Sequence, residues 1–80
     1  MKNVKIVVLN KDHWSFIDTT VNKEYDAIIL EPGEVVPERF AGYPGQTNDE
    51  DQAVLFLDDT DCDCACDVAG TVGVNFKIVE

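Results

Sequence analysis

Three cysteines with regular spacing carry the most recognisable chemistry in this sequence. Cys62, Cys64 and Cys66 are two residues apart, so a β-strand would place them on one face. An odd number of cysteines excludes a complete set of intrachain disulfides. Tetrahedral zinc would need a fourth ligand, and His13 is the only histidine in the sequence, so it would complete the one candidate metal site. Because neighbouring aspartates disfavour thiolates, we expect small apolar core residues instead, with no metal and no cofactor.

The aspartates around these cysteines offer oxygen ligands for calcium. Asp59, Asp61 and Asp63 match the first three alternating ligands of an EF-hand loop. The match then fails, because Cys64 stands where that loop needs glycine and Gly70 stands where it needs glutamate. The sequence therefore does not predict a dedicated calcium site.

Catalytic patterns are missing from the sequence. It has one histidine, no nucleophile-elbow motif and no glycine-rich phosphate-binding loop. Carboxylates are abundant, but acidic side chains on a surface are normally solvated, and a chain of 80 residues has little room for a substrate cleft. We therefore predict that the protein is not an enzyme.

The net charge of −10 is unevenly distributed. Residues 1–25 carry four lysines against three acids, whereas residues 26–80 carry one arginine and one lysine against thirteen acids. A field of this sign repels nucleic acids and anionic membranes and attracts basic proteins. No apolar run reaches the roughly 18 residues of a membrane span, and the N-terminus does not fit a signal peptide. The predicted location is the cytoplasm, and the predicted partner is a basic or nucleic-acid-binding protein.

The chain is organised around residues 48–67, where an apolar run at 53–57 lies between two acidic clusters. A row of carboxylates imitates the phosphates of a duplex, which carry one charge per roughly 1.7 Å of axis. An exposed aromatic residue in the neighbouring loop would anchor such an interface. The predicted partner-binding residues are the acids of both clusters, a second acidic patch and one tyrosine: Asp49, Glu50, Asp51, Asp58, Asp59, Asp61, Asp63, Glu31, Glu34, Glu38 and Tyr43.

Short β-rich segments separated by glycine and proline turns make up most of the sequence. A long loop is predicted at residues 37–52, and residues 13–21 are expected to be irregular, with Trp14 in the core and His13 at its rim. The predicted strands are Val4–Leu9, Tyr25–Leu30, Ala53–Leu57, Cys62–Val68 and Val72–Val79, with a short one at Glu34–Val36.

No segment shows a convincing helical period. Five or six short strands in a chain of this length predict an all-β single domain over residues 1–80, a small SH3-like barrel. The alternative is a small α+β domain with one short helix.

The order of these parts resembles that of small SH3-like barrels in short phage proteins. The matching residues are the strand VKIVVL, the arm through FIDTTVNKEYDA, the turn EPGE, the strand VLFLDD and the end GTVGVNFKIVE. The resemblance covers most of the chain, and the 37–52 loop and the cysteines depart from it. It implies the barrel fold and a viral origin.

In size, acidity and absence of catalytic residues, the sequence is similar to anti-CRISPR proteins. That similarity implies an acidic DNA mimic that inhibits a host defence complex stoichiometrically, such as a CRISPR effector, by covering its nucleic-acid-binding surface. The alternative is a structural or accessory phage protein that takes part in assembly.

Overall fold

The protein is all-β, as the sequence predicts. The computed structural model describes residues 1–40 and 51–79. Within them it contains one short 3-10 helix and five strands, whose bounds are β1 Lys2–Val8, the 3-10 helix Trp14–Phe16, β2 Glu24–Leu30, β3 Ala53–Leu57, β4 Asp63–Asp67 and β5 Phe76–Val79. No helix in these residues is long and apolar enough to cross a membrane.

The five strands form one antiparallel sheet in the order β4-β3-β2-β1-β5. Strands β1 to β4 therefore lie side by side in the sheet in the same order as along the chain. Strand β5 returns to pair with the second half of β1. The register places Ile28 opposite Leu55 and Leu55 opposite Ala65. Strands β4 and β5 are the two edges of the sheet.

One face of the sheet encloses the main core. Alternation along β1 directs Val4, Ile6 and Val8 into it, and the other four strands add residues to the same cluster. At its centre are three fully buried phenylalanines, Phe16, Phe56 and Phe76. Phe16 stacks on Phe56 with ring centroids 5.3 Å apart and lies 5.8 Å from Phe76. These rings join the 3-10 helix to β3 and β5.

The opposite face of β2 and β3 is covered by the segment that follows β2. Val36 and Phe40 pack against Ile28, Leu30 and Leu55, which explains why the end of β2 is apolar on both faces. The predicted short strand at Glu34–Val36 is not one of the five strands. Val36 instead packs in the apolar cluster on this face of the sheet.

Trp14 is not in the core, contrary to the prediction. An alternating pattern would place Trp14 and Phe16 on one face, but the 3-10 helix turns once every three residues, which separates them. Phe16 is fully buried, whereas Trp14 is 67% exposed. His13 is half-buried and caps the helix, since its Nδ1 accepts a hydrogen bond from the Ser15 amide at 3.1 Å.

The last strand is shorter than predicted because residues 71–75 form a helical turn. The amide of Val72 donates to the Val68 carbonyl, and the amide of Asn75 donates to the Thr71 carbonyl. Val74 is therefore exposed rather than on a core face. Asn75, expected on the outer face, is buried, and its Nδ2 donates to Asn10 Oδ1 at 2.8 Å.

Two backbone carbonyls of the edge strand β4 accept hydrogen bonds from side-chain hydroxyl groups. Ser15 Oγ, on the 3-10 helix, donates to the Ala65 carbonyl at 3.0 Å, and Thr71 Oγ1 donates to the Asp67 carbonyl. An exposed strand edge invites pairing with another chain. Because these two carbonyls are occupied, β4 is a poor template for strand addition, and the 3-10 helix is fixed along it.

Candidate protein-binding surface

Asp58, at the end of β3, is enclosed by the turn that it begins. It is only 7% exposed. Its Oδ1 accepts hydrogen bonds from the Thr60 amide (2.8 Å), the Thr60 hydroxyl (2.6 Å) and the Cys62 amide (3.0 Å). The Cys64 thiol lies 3.5 Å from the other carboxylate oxygen. Asp58 was predicted to contact a partner, but these contacts give it a structural role in the β3–β4 turn.

The pKa of Asp58 reflects this enclosure. Burial by itself raises the pKa of the carboxyl group, but the hydrogen bonds from Thr60 and Cys62 outweigh it. The pKa of Asp58 is therefore lower than that of a free aspartate, so the turn favours the ionised form.

Asp59 connects the β3–β4 turn to the segment before β2. Its carboxylate accepts from Lys23 Nζ (2.6 Å), Thr20 Oγ1 (2.7 Å) and the Tyr25 hydroxyl (2.9 Å). The hydrogen bond from Lys23, followed by those from Thr20 and Tyr25, lowers the pKa of Asp59 to about 2. The negative charge of Asp59 is therefore compensated by Lys23.

The Asp59→Asn variant is expected to lose stability in a pH-dependent way. A carboxyl group whose pKa is lower in the folded state stabilises the protein above its unfolded pKa of roughly 4. That contribution disappears as the pH falls towards about 2, where folded Asp59 becomes protonated. Urea midpoints of the wild type and Asp59→Asn should therefore differ at pH 6 and converge between pH 4 and pH 2.5. Asp61→Asn is the control, and an equal pH dependence in it would contradict the assignment.

The other two predicted acids of this cluster lie beside the same turn. Asp61 is exposed and has a φ of 62°, a left-handed conformation that aspartate and asparagine tolerate better than most residues. Asp63 begins β4 and is half-buried.

The second predicted patch lies at the opposite end of β3. The register pairs Leu30 with Ala53 there, which brings Glu31 next to Gln52, whose Nε2 donates to both Glu31 oxygens. Glu34 forms an ion pair with the N-terminal amine, and that hydrogen bond, with one from the Glu31 amide, lowers its pKa. Glu38 and Asp51 are exposed. The predicted acids that the structure describes therefore form two groups, one at each end of β3.

Three predicted contact residues, Tyr43, Asp49 and Glu50, lie outside the described residues.

The cysteines do not share one environment. Cys64 and Cys66 face the core from β4, but Cys62 precedes the strand and is exposed. Burial, followed by the charge of Asp58, raises the pKa of Cys64 to about 12, and burial raises the pKa of Cys66. Over residues 1–40 and 51–79, no group of three or more histidine, cysteine or acidic side chains is arranged to hold a metal ion. The site of these three cysteines with His13 is not formed.

An exposed aromatic surface was missed by the sequence reasoning. The 3-10 helix lies along β4 and presents Trp14 and Ile17 to solvent, 67% and 58% exposed. His13 stacks beside Trp14, with ring centroids 5.6 Å apart. The sequence HWSF contains a signal for this surface. His13 is a capping residue, and the four residues together suit a short turn as well as a strand.

Exposed acids surround these side chains. The carbonyl of Asp18 accepts from the Asp59 amide, which places it near the β3–β4 turn, and Asp67 lines a groove with Trp14. We name this region the Trp14 surface and define it by six exposed residues: Asp12, Trp14, Ile17, Asp18, Asp61 and Asp67. Within the described part of the chain, no ion pair involves any of its four acids.

Comparisons with protein-family models, with curated proteins and with solved structures find no match to this chain.

Proposed function

We propose that this protein binds a basic protein stoichiometrically through the Trp14 surface. The observation that carries the proposal is the arrangement of acids with no ion pair around an exposed tryptophan. By contrast, Lys5 pairs with Glu24 and Asp26, and Lys23 pairs with Asp59. Binding sites commonly combine an aromatic anchor with a charged rim, and here the anchor lies on the 3-10 helix while the acids lie on its flanking segments, the β3–β4 turn and β4.

The proposed partner is a nucleic-acid-binding protein. Such a protein carries lysine and arginine side chains that neutralise phosphates, and carboxylates offer them the same charge. Lys11, next to Asp12, reduces the negative charge of this side by one, but the region remains acidic. Association with such a partner would be fast and sensitive to salt.

The concrete form of the proposal is a phage-type inhibitor that acts in the host cytoplasm. The resemblance to small phage barrels and the similarity to anti-CRISPR proteins support a defence complex, such as a CRISPR effector, as the target. The protein would then occupy the place of nucleic acid on that complex. No catalytic step is proposed, and the raised pKa of Cys64, about 12, supports this because it keeps the thiol protonated at neutral pH.

Affinity capture from a bacterial lysate tests the proposal, with two variants that each remove three negative charges. The first is Asp18→Asn, Asp61→Asn and Asp67→Asn on the Trp14 surface. The matched control is Glu24→Gln, Asp26→Asn and Glu38→Gln, all exposed residues outside that surface. With about 0.2–1 kcal/mol per exposed charge pair, the first variant should bind roughly 3- to 160-fold more weakly.

The expected result is one nucleic-acid-handling complex that the wild type and the control retain at low salt and release at high salt. Mass spectrometry identifies it. Equal losses of binding in the two variants would mean that only total charge matters, and would refute the Trp14 surface as the contact.

The second candidate function is assembly, and a different observation favours it. Val72 and Val74 are exposed beside the edge strand β5, where apolar contact between copies would be possible. Capture of the protein's own copies alone, unchanged between low and high salt, would support this function instead.

A further inference from the structure

A groove of about 390 Å³ lies between the 3-10 helix and the turn that follows β4. Trp14 and His13 line one side of it, and Gly70 and Thr71 line the other. Asp67, the last residue of β4, is exposed at the same groove. The groove therefore combines two aromatic rings with one carboxylate.

The other polar groups around the groove are already occupied. Thr71 Oγ1 donates to the Asp67 carbonyl and contacts the Val68 carbonyl at 3.2 Å. Cys66 is buried and its thiol lies 4.0 Å from Thr71 Oγ1. Within residues 1–40 and 51–79, the carboxylate of Asp67 has neither a hydrogen bond nor an ion pair. What remains for a ligand is the indole face, the imidazole and a single negative charge.

This combination selects a planar cation. A guanidinium group stacks on an aromatic face and donates two parallel hydrogen bonds to a carboxylate, whereas the ammonium of lysine is a compact and strongly hydrated point charge. Ala69, which is exposed and also lines the groove, adds apolar surface that suits the aliphatic stem of a long side chain.

We propose that this groove is a subsite for one arginine side chain of the basic partner, with its guanidinium over Trp14 and paired with Asp67. The inference rests on the proposed function and adds a preference for arginine over lysine. It makes Trp14 and Asp67 the centre of the interface, and the other acids of the Trp14 surface its rim.

Peptide titration followed by NMR tests the subsite without the unidentified partner. The probes are tri-arginine amide and tri-lysine amide, which carry equal charge, added to ¹⁵N-labelled protein at low salt. We expect tri-arginine to bind about 2- to 5-fold more tightly, from a cation–π contribution of about 0.5–1 kcal/mol at an exposed site. The largest shifts should fall on the Trp14 indole N–H, Asp67 and Gly70.

Asp67→Asn and Asp61→Asn are the matched variants, since each removes one exposed charge. Asp67→Asn should abolish the preference for arginine, and Trp14→Ala should do the same, while Asp61→Asn should keep it. Equal affinity for the two peptides, with shifts spread over all the acids, would overturn the subsite.

The two proposals fail in different ways. If a basic partner is captured through the Trp14 surface but tri-arginine and tri-lysine bind with equal affinity, the arginine subsite is wrong and the proposed function stands. If tri-arginine is selected at the groove but no basic protein is captured, the subsite stands and the proposed function is wrong.

Discussion

Replacing Phe16 with alanine is expected to destabilise the protein by about 3–5 kcal/mol. Phe16 is fully buried and stacks on Phe56, so its removal leaves a cavity in the main core. Domains of this size have small cores and limited stability, so the loss would be a large part of the total. The measurement is urea unfolding followed by circular dichroism.

Trp14→Ala is the control for this prediction, because it removes a larger aromatic side chain two residues away. Trp14 is 67% exposed, and its replacement should change the free energy of unfolding by less than about 0.5 kcal/mol. If Phe16→Ala does not fold at all, Phe16→Leu should still fold, with a loss of about 1–2 kcal/mol. Equal losses in Trp14→Ala and Phe16→Ala would mean that the 3-10 helix is placed wrongly, and the Trp14 surface with it.

Asp58→Ala is expected to cost about 2–4 kcal/mol of unfolding free energy. The change leaves the amides of Thr60 and Cys62 without their acceptor, the carboxylate of the buried Asp58. Asp58→Asn keeps an acceptor oxygen and should cost less. Because the pKa of Asp58 is lowered in the folded state, its contribution should be complete near neutral pH and should decline as the pH falls below roughly 4.

Chemical unfolding at several pH values measures both effects, with Asp61→Asn as the control for removal of a charge from the same turn. The experiment also separates two roles for Asp58. A variant that stays as stable as the wild type but no longer binds a partner would restore Asp58 to the contact surface, as the sequence predicted.

The strands were predictable because their residues have one dominant preference. Ala53–Leu57 was predicted with its observed bounds, since an apolar run between acids has no alternative to burial. Strands β1 and β2 were also found, to within two residues, from their β-branched residues.

The errors came where a hydrogen bond overrides the pattern. Apolar and polar residues alternate well from Val72 to Val79, yet the first half of this segment is a turn. The Thr71 carbonyl accepts a hydrogen bond within that turn, and Gly73 has a φ of 80°. Trp14 was misplaced for a similar reason, because the cap made by His13 starts a helix that hydrophobic alternation does not reveal. Local polar contacts of this kind compete with strand structure.

The acids illustrate a third kind of error. Sequence reasoning treated Asp58, Asp59 and Asp61 as equivalent charges, because composition cannot distinguish an enclosed carboxylate from a solvated one. The structure encloses Asp58, pairs Asp59 with Lys23 and leaves Asp61 exposed. The contacts of the folded chain make that distinction, local ones for Asp58 and a long-range one for Asp59.

The position of β1 in the sheet also determines when folding can finish during synthesis. Strands β1 to β4 pair with sequence neighbours, so this meander can form while the chain is still emerging from the ribosome. The last pairing joins residues 5–8 to residues 76–79 and brings Phe76 into the core. Closing such a long loop is slow compared with forming local contacts. Until residue 79 has left the ribosome, the nascent chain therefore carries an incomplete core and an unpaired stretch of β1, which is the stage at which it is most open to aggregation and to proteases.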